Sequence, residues 1–157
     1  MWLLYAVVVG VIILDRISKL VVIMNMPLSH SIPVIKYILN FTYVRNTGAA
    51  FSMFSNSNII LGIVATAVVI AAIIYFHIKK PSSKYLIIYS GMIMGGAIGN
   101  VIDRFIYSYV IDFIDIQFME FAVFNIADCF IVVGCIFLAA WIMIADGNNK
   151  EVTSIDK

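Results

Sequence analysis

The chain has 157 residues, of which 63% are hydrophobic and 12% are charged, and its mean hydropathy is +1.05. A soluble domain is about half apolar and about a quarter charged, so this composition indicates an integral membrane protein. The formal net charge is +1. The sequence contains no basic stripe, and we therefore expect no nucleic-acid partner. The length is that of a single domain.

The first apolar run, at about 2–24, is predicted to be a retained membrane span. It has no basic residue ahead of it and carries Asp15, Arg16 and Lys19 inside, unlike a cleavable signal peptide. Asp15 and Lys19 are four positions apart on one helical face and can pair with each other. We expect this pair either to clamp a substrate or to brace a site.

The next segment, at about 27–58, is rich in Pro, Gly, Ser and Asn. Within it, residues 36–45 alternate between apolar and polar side chains and are rich in aromatic and β-branched types, which indicates a strand. A strand at a membrane must be paired or lie at the water interface. The sequence therefore predicts a small extracytoplasmic β-sheet segment after helix one.

Three more apolar segments complete an all-α integral membrane protein with four transmembrane helices. They lie at about 59–78, 85–105 and 122–145, with a loop at about 79–84, an outer connection at about 106–121 and a flexible tail at about 146–157. The third span contains a run of small residues that allows close helix packing.

The lysines predict the orientation in the membrane. Lys79, Lys80 and Lys84 lie in one short loop, whereas the connection at 106–121 contains no basic residue. Since short basic loops remain in the cytoplasm, we expect this loop and both termini to be cytoplasmic.

Three intramembrane aspartates are predicted to lie at similar depths. At ~1.5 Å per helical residue, Asp15 lies roughly 20 Å and Asp103 roughly 27 Å from the inner surface, and Asp128 roughly 9 Å below the outer surface. All three fall in the outer leaflet of a core ~30 Å thick. Carboxylates at such depths are functional-site candidates.

Asp128 has no basic residue within a helical turn on its own span, so its partner must come from another element. Asp103 has a simpler interpretation, a structural ion pair with Arg104. No metal-binding motif is present, and a serine–base arrangement is also missing. Two carboxylates that share a proton can hydrolyse a peptide bond without a cofactor. The residues alone leave the partner of Asp128 open between Asp103, Asp112 and Asp115.

Two other classes of function compete with a peptidase. A transporter would use Asp15, Asp103 and Asp128 as a proton or cation relay, but a relay needs polar groups through the whole bilayer. A non-catalytic scaffold would use the glycine-rich third span as an interaction face, and it leaves Asp128 unexplained. The cysteines, Cys129 and Cys135, are six apart on one predicted helix and are not expected to form a disulfide.

Four motifs occur in order along the chain: NTGAA at 46–50, GNVIDR at 99–104, VIDF at 110–113 and FNIAD at 124–128. Together with Asp15 and Lys19, they resemble the bacterial lipoprotein signal peptidase (signal peptidase II) family over about 10–145. Two positions depart from the family pattern. Arg16 stands where glutamine is common, and Cys129 stands where serine is common.

The resemblance implies an aspartic endopeptidase of the bacterial plasma membrane, with its active site near the outer leaflet. Such an enzyme cuts lipid-modified prolipoprotein substrates just before the diacylglyceryl-bearing cysteine. It works among membrane lipids without a metal or cofactor, and globomycin-like inhibitors block it. By motif match the catalytic residues are Asp112 and Asp128. The substrate-binding or supporting residues are Asp15, Lys19, Asn46, Gly48, Asn100, Asp103, Arg104 and Asn125.

Overall fold

The computed structural model describes residues 1–48 and 58–155, with side chains up to residue 144. These described residues form four helices and three strands. In order they are α1 (Trp2–Asn25), β1 (Ser31–Ile35), β2 (Leu39–Asn46), α2 (Asn58–Lys79), α3 (Lys84–Tyr107), β3 (Val110–Ile116) and α4 (Ile126–Ile155).

In the part of the chain that the structure describes, three helices are long and apolar enough to cross a membrane. They are α2, α3 and the Ile126–Ile144 portion of α4. Helix α1 has 24 residues, but any 18-residue window of it contains all three of Asp15, Arg16 and Lys19.

Helix α3 packs against all three other helices, and its glycines allow the close approach. A Cβ added at Gly95 would lie 2.8 Å from the Val11 side chain of α1. One added at Gly96 would overlap the backbone carbonyl of Ala127 in α4. The predicted close packing around the small residues of the third span is therefore confirmed.

The strands form an antiparallel sheet in the order β1-β2-β3. The sheet includes a strand that the sequence analysis did not predict, because β3 comes from the connection at 106–121. Its first four residues are all buried, so the strand is buried on both faces and lacks the alternation typical of a half-exposed strand. Antiparallel pairing with β2 sets Asp112 opposite Val44.

Other boundaries also differ from the sequence-based ones. The predicted strand at 36–45 is confirmed from Leu39, while residues 36–38 form the hairpin turn after β1. Helix α4 begins at Ile126 instead of about 122, because Phe124 pairs with Ile114 at the sheet. Its helical backbone continues to Ile155, where a flexible tail was predicted. Residues 49–57 of the predicted outer segment lie outside the described residues.

The sheet sits on the end of α1 through a buried apolar cluster. Val22 and Met26 at the end of α1 pack with Tyr43 of β2 and with Ile111 and Phe113 of β3. This packing fixes β3 above the helices and sets the position of Asp112.

Candidate active site

Asp112 lies in β3 with both carboxylate oxygens hydrogen-bonded. The Asn46 amide of β2 donates to Oδ2 at 2.9 Å, and the Asn125 amide donates to Oδ1 at 2.6 Å. The carboxylate is only 2% exposed. Strand pairing between β2 and β3 thus brings together two residues that are 66 positions apart in the sequence.

Asp128 lies in the first turn of α4, where a carboxylate is favoured by the positive end of the helix dipole. Its backbone N–H donates to Asn125 Oδ1 at 3.0 Å, and its Oδ2 accepts from the Asn125 backbone N–H at 3.2 Å. This reciprocal arrangement is a capping box. Asn100 of α3 donates its amide to Asp128 Oδ1 at 2.7 Å.

Asn125 joins the two aspartates into one network. The same Asn125 amide that donates to Asp112 also donates to Asn100 Oδ1 at 3.2 Å, and Asn100 in turn donates to Asp128. Each carboxylate is held as an acceptor by neutral amides, which leaves both able to exchange a proton with a bound molecule.

The electrostatics of Asp112 favour proton sharing. Burial raises the pKa of Asp112 to about 6, and the neighbouring Asp128 carboxylate contributes to the rise, while the hydrogen bonds from Asn46 and Asn125 oppose it. Two nearby carboxylates resist double ionisation, so the pair retains a proton nearer to neutral pH than an isolated aspartate does.

A buried ion cluster lies beside the pair. Lys19 contacts Asp15 at 2.9 Å and Asp103 at 2.7 Å, and Arg16 contacts Asp15 at 3.0 Å and Asp103 at 2.6 Å. The predicted Asp15–Lys19 pairing is confirmed. The three aspartates predicted to lie at similar depths are close together in the fold: Asp15 and Asp103 share Lys19 and Arg16, and Asp15 accepts from the N–H of Ala127, next to Asp128.

The predicted ion pair between Asp103 and Arg104 is not formed. Neighbouring residues on a helix point about 100° apart, and Asp103 turns toward α1 while Arg104 donates to the carbonyls of Asn100 at 3.3 Å and Gly48 at 3.5 Å. Gly48 also donates its N–H to Asn46 Oδ1 at 3.0 Å, which orients the Asn46 amide nitrogen toward Asp112.

Asp115, the third sequence-based candidate for the partner of Asp128, lies elsewhere in the sheet. It accepts a hydrogen bond from the Thr42 hydroxyl at 2.6 Å. Asp115 binds Thr42, and Asp103 binds Arg16 and Lys19. Asp112 and Asp128, in contrast, both accept a hydrogen bond from Asn125. Cys129 and Cys135 are both free, as expected.

A cavity of about 530 Å³ opens onto the two aspartates. Its polar lining comprises Asn46, Asn100, Arg104, Asp112 and Asp128. Its apolar lining includes Val110, Ile116, Phe121, Ala122, Val123, Phe124, Ile131, Val132 and Val133. Such a cavity suits a largely apolar ligand with one polar group held at the carboxylates.

Sequence reasoning noted Arg16 as a charge inside the first span and as a departure from a family pattern, but gave it no partner. Its position within an apolar helix could have indicated its role, because a third charged residue in that helix needs a partner from another element. The contact of Ala127 N–H with Asp15 had no comparable sequence signal.

The described fold and site define a class, a multi-helix membrane protein with two hydrogen-bonded carboxylates beside an apolar cavity. The profile of the family described as Signal peptidase (SPase) II matches residues 7–144. The chain therefore belongs to the signal peptidase II family, a family of proteases. This assignment favours the peptidase over the transporter and scaffold alternatives.

Individual relatives agree with the family profile. A lipoprotein signal peptidase of Caldanaerobacter subterraneus subsp. tengcongensis is 45% identical over 144 residues, which are 92% of this chain and 97% of the relative. One of Clostridium novyi is 40% identical over 135 residues, 84% of this chain and 91% of the relative. A solved bacterial membrane enzyme superposes with a TM-score of 0.83 at 31% identity, over 92% of this chain and 90% of the other.

Proposed function

We propose that this protease removes the signal peptide from diacylglyceryl-modified prolipoproteins by cutting before the lipidated cysteine. Asp112 and Asp128 form the catalytic pair. The observation that carries this proposal is that both carboxylates line one apolar cavity and both accept a hydrogen bond from Asn125, whose amide also donates to Asn100, the side-chain donor to Asp128. The family assignment supplies the substrate class.

The chemistry follows from one proton shared between two carboxylates. The ionised aspartate takes a proton from a water molecule, and the oxygen of that water attacks the scissile carbonyl. The protonated aspartate donates to the carbonyl oxygen, which gives a neutral tetrahedral intermediate. The aspartate that took the proton from water then donates it to the amide nitrogen of the cysteine, while the other aspartate takes a proton from a hydroxyl of the intermediate. The C–N bond breaks, the signal peptide leaves with a new carboxyl end, and the pair again holds one proton.

The cavity accounts for the preference for a lipidated substrate. Its lining is mainly apolar, and membrane lipid solvates the remainder of the acyl chains, so that the diacylglyceryl group fixes the scissile bond at the carboxylates. Globomycin-like inhibitors bind in the same cavity. Asn46, Asn100 and Asn125 hold the aspartates, and Arg104 lines the cavity beside them and donates to the Gly48 carbonyl.

The protein lies in the bacterial plasma membrane and crosses it four times. Helix α1 is the fourth span, and its charged residues are neutralised inside the protein by Asp103 of α3. The lysine-rich loop between α2 and α3 faces the cytoplasm together with both termini. The sheet and the catalytic pair then lie near the outer leaflet, where lipidated prolipoproteins are held.

The test compares Asp112→Asn and Asp128→Asn with Asp115→Asn, each purified in lipid. Cleavage of a diacylglyceryl-modified prolipoprotein should fall at least about a thousandfold in the first two, because each removes one member of the acid–base pair. Asp115→Asn should remain close to wild type, since its carboxylate binds Thr42. Full cleavage by folded Asp112→Asn or Asp128→Asn overturns the assignment. Equal cleavage of an unlipidated prolipoprotein contradicts the proposed substrate class.

A further inference from the structure

The ammonium group of Lys19 has three N–H bonds and three acceptors. Its Nζ lies 2.9 Å from Asp15 Oδ2, 2.7 Å from Asp103 Oδ2 and 3.0 Å from Asn100 Oδ1. The side chain is 1% exposed. All three donors of the ammonium are therefore used inside the protein, and none remains for a substrate.

Each of these acceptors leads to one of the paired aspartates. Asp15 Oδ1 accepts from the backbone N–H of Ala127 at 3.2 Å, and Ala127 directly precedes Asp128. Asp103 Oδ2 accepts from the backbone N–H of Ile111 at 3.3 Å, and Ile111 directly precedes Asp112.

The third acceptor acts on Asp128 through a side chain. Asn100 accepts from Lys19 through Oδ1 and donates to Asp128 Oδ1 through Nδ2 at 2.7 Å. The cation thereby selects which end of the Asn100 amide faces Asp128.

We propose that Lys19 is a positioning residue that fixes the separation and orientation of the Asp112 and Asp128 carboxylates. This inference rests on the proposed function, because it assigns Lys19 a role in the same reaction. Lys19 touches neither the substrate nor the paired carboxylates, and it acts through Asp15, Asp103 and Asn100.

Charge balance explains why a cation is needed at this point. Asp15 and Asp103 are both fully buried, and two buried carboxylates repel each other unless cations lie between them. Without Lys19, Arg16 alone would face both carboxylates. The carboxylates would separate and move the N–H groups of Ile111 and Ala127, and Asn100 could rotate its amide oxygen toward Asp128.

The test uses Lys19→Met, which keeps the length of the side chain but removes charge and donors, and Lys19→Gln, which keeps an amide donor. Lys79→Met is the matched control, since Lys79 is exposed at the end of α2. Binding-competent molecules are counted by titration with a non-cleavable diacylglyceryl-modified peptide. The kcat per counted site and KM are then measured with a diacylglyceryl-modified prolipoprotein.

We expect Lys19→Met to lower kcat per site about 100-fold, the cost of displacing a reacting group by about 1 Å. KM should stay within about twofold, because Lys19 does not line the cavity. Lys19→Gln should lose less kcat than Lys19→Met, and Lys79→Met should match wild type.

A purely structural role for Lys19 would reduce the number of binding-competent molecules and leave kcat per site unchanged, and that result overturns the inference. If Lys19→Met yields no binding-competent protein, Lys19→Gln decides in the same way. Failure of the proposed function is distinguishable, because it would appear as continued cleavage by Asp112→Asn or Asp128→Asn.

Discussion

Asn125 and Asp128 cap the first turn of α4 reciprocally, with Asp128 N–H donating to Asn125 Oδ1 at 3.0 Å and Asn125 N–H donating to Asp128 Oδ2 at 3.2 Å. The Asn125 amide nitrogen points the other way, to Asp112 Oδ1 at 2.6 Å. The Asn125 side chain thus caps the helix with its oxygen and binds the Asp112 carboxylate with its nitrogen, and two substitutions can separate these functions.

Asn125→Ser and Asn125→Ala should both lower kcat strongly, because both remove the amide donor to Asp112. Their stabilities should differ, since serine can cap a helix and alanine cannot. Thermal unfolding in detergent should show Asn125→Ala to be less stable than Asn125→Ser by about 1 kcal/mol. Equal stability of the two variants, or full activity of Asn125→Ser, would contradict this division of roles.

The Asn46 amide opposes the elevated pKa of Asp112, so its removal should move the pH profile. Asn46→Leu deletes the donor to Oδ2, and the pKa of Asp112 should rise further above about 6. The pair then keeps its shared proton to higher pH, and the alkaline limb of kcat should move upward by about half a unit to one unit.

Thr42→Val is the control for the pH experiment. Thr42 lies in the same strand, but its hydroxyl donates to Asp115, so its removal should leave the alkaline limb in place. A downward shift in Asn46→Leu, or the same upward shift in Thr42→Val, would refute the assignment of the titrating group to Asp112.

Gly99 of α3 makes room for the buried carboxylate of Asp15. A Cβ at this position would lie 2.7 Å from Asp15 Oδ2 and 3.1 Å from Asp15 Cγ. We expect Gly99→Ala to cost about 1–3 kcal/mol of stability by overpacking and to lower kcat, because Asp15 holds the N–H of Ala127.

Gly10 provides the matched control on α1. Nothing lies within 4 Å of a Cβ built there, so Gly10→Ala should be neutral or stabilise by up to about 1 kcal/mol through its better helix propensity. The prediction is checked by measuring the thermal unfolding and the kcat of Gly99→Ala and Gly10→Ala. A Gly99→Ala variant that matches Gly10→Ala in both measurements would show that the contact with Asp15 is unimportant.

Val132 lines the apolar part of the cavity. Val132→Phe fills space that the substrate needs and should raise KM about tenfold with little change in kcat, since the aspartates are untouched. Ile136→Phe, one helical turn further along α4 at a position 60% exposed, should leave KM unchanged. A KM that responds to Ile136→Phe but not to Val132→Phe would place the substrate elsewhere.

The membrane class, the close packing of α3 and the pairing of Asp15 with Lys19 could be predicted from the sequence, because each depends on composition or on spacing within one helix. The sequence did not decide between Asp112 and Asp115 without a family resemblance. Both residues lie in the short strand β3. The register between β2 and β3 distinguishes them, because it sets Asp112 near Asn46 and Asp115 near Thr42.

The strand β3 itself escaped prediction for a related reason. Both of its faces are buried at the start, and Val110, Ile111 and Phe113 surround Asp112, so the pattern does not show the alternation of a half-exposed strand. Its partner β2 lies about 70 positions earlier in the sequence, and no local signal reports such pairing. The partners of Asp103 were missed in the same way, because Arg104 is adjacent in sequence while Arg16 and Lys19 are adjacent only in the fold.

The division of the ion cluster between two helices has a consequence for biosynthesis. Helix α1 is synthesised before α3 and brings Asp15, Arg16 and Lys19 with a surplus of one positive charge, and the balancing Asp103 arrives only with α3. A nascent chain that ends before α3 therefore exposes an uncompensated cation to lipid or to the insertion machinery. Charge-neutral burial of α1 therefore has to wait until α3 has been made.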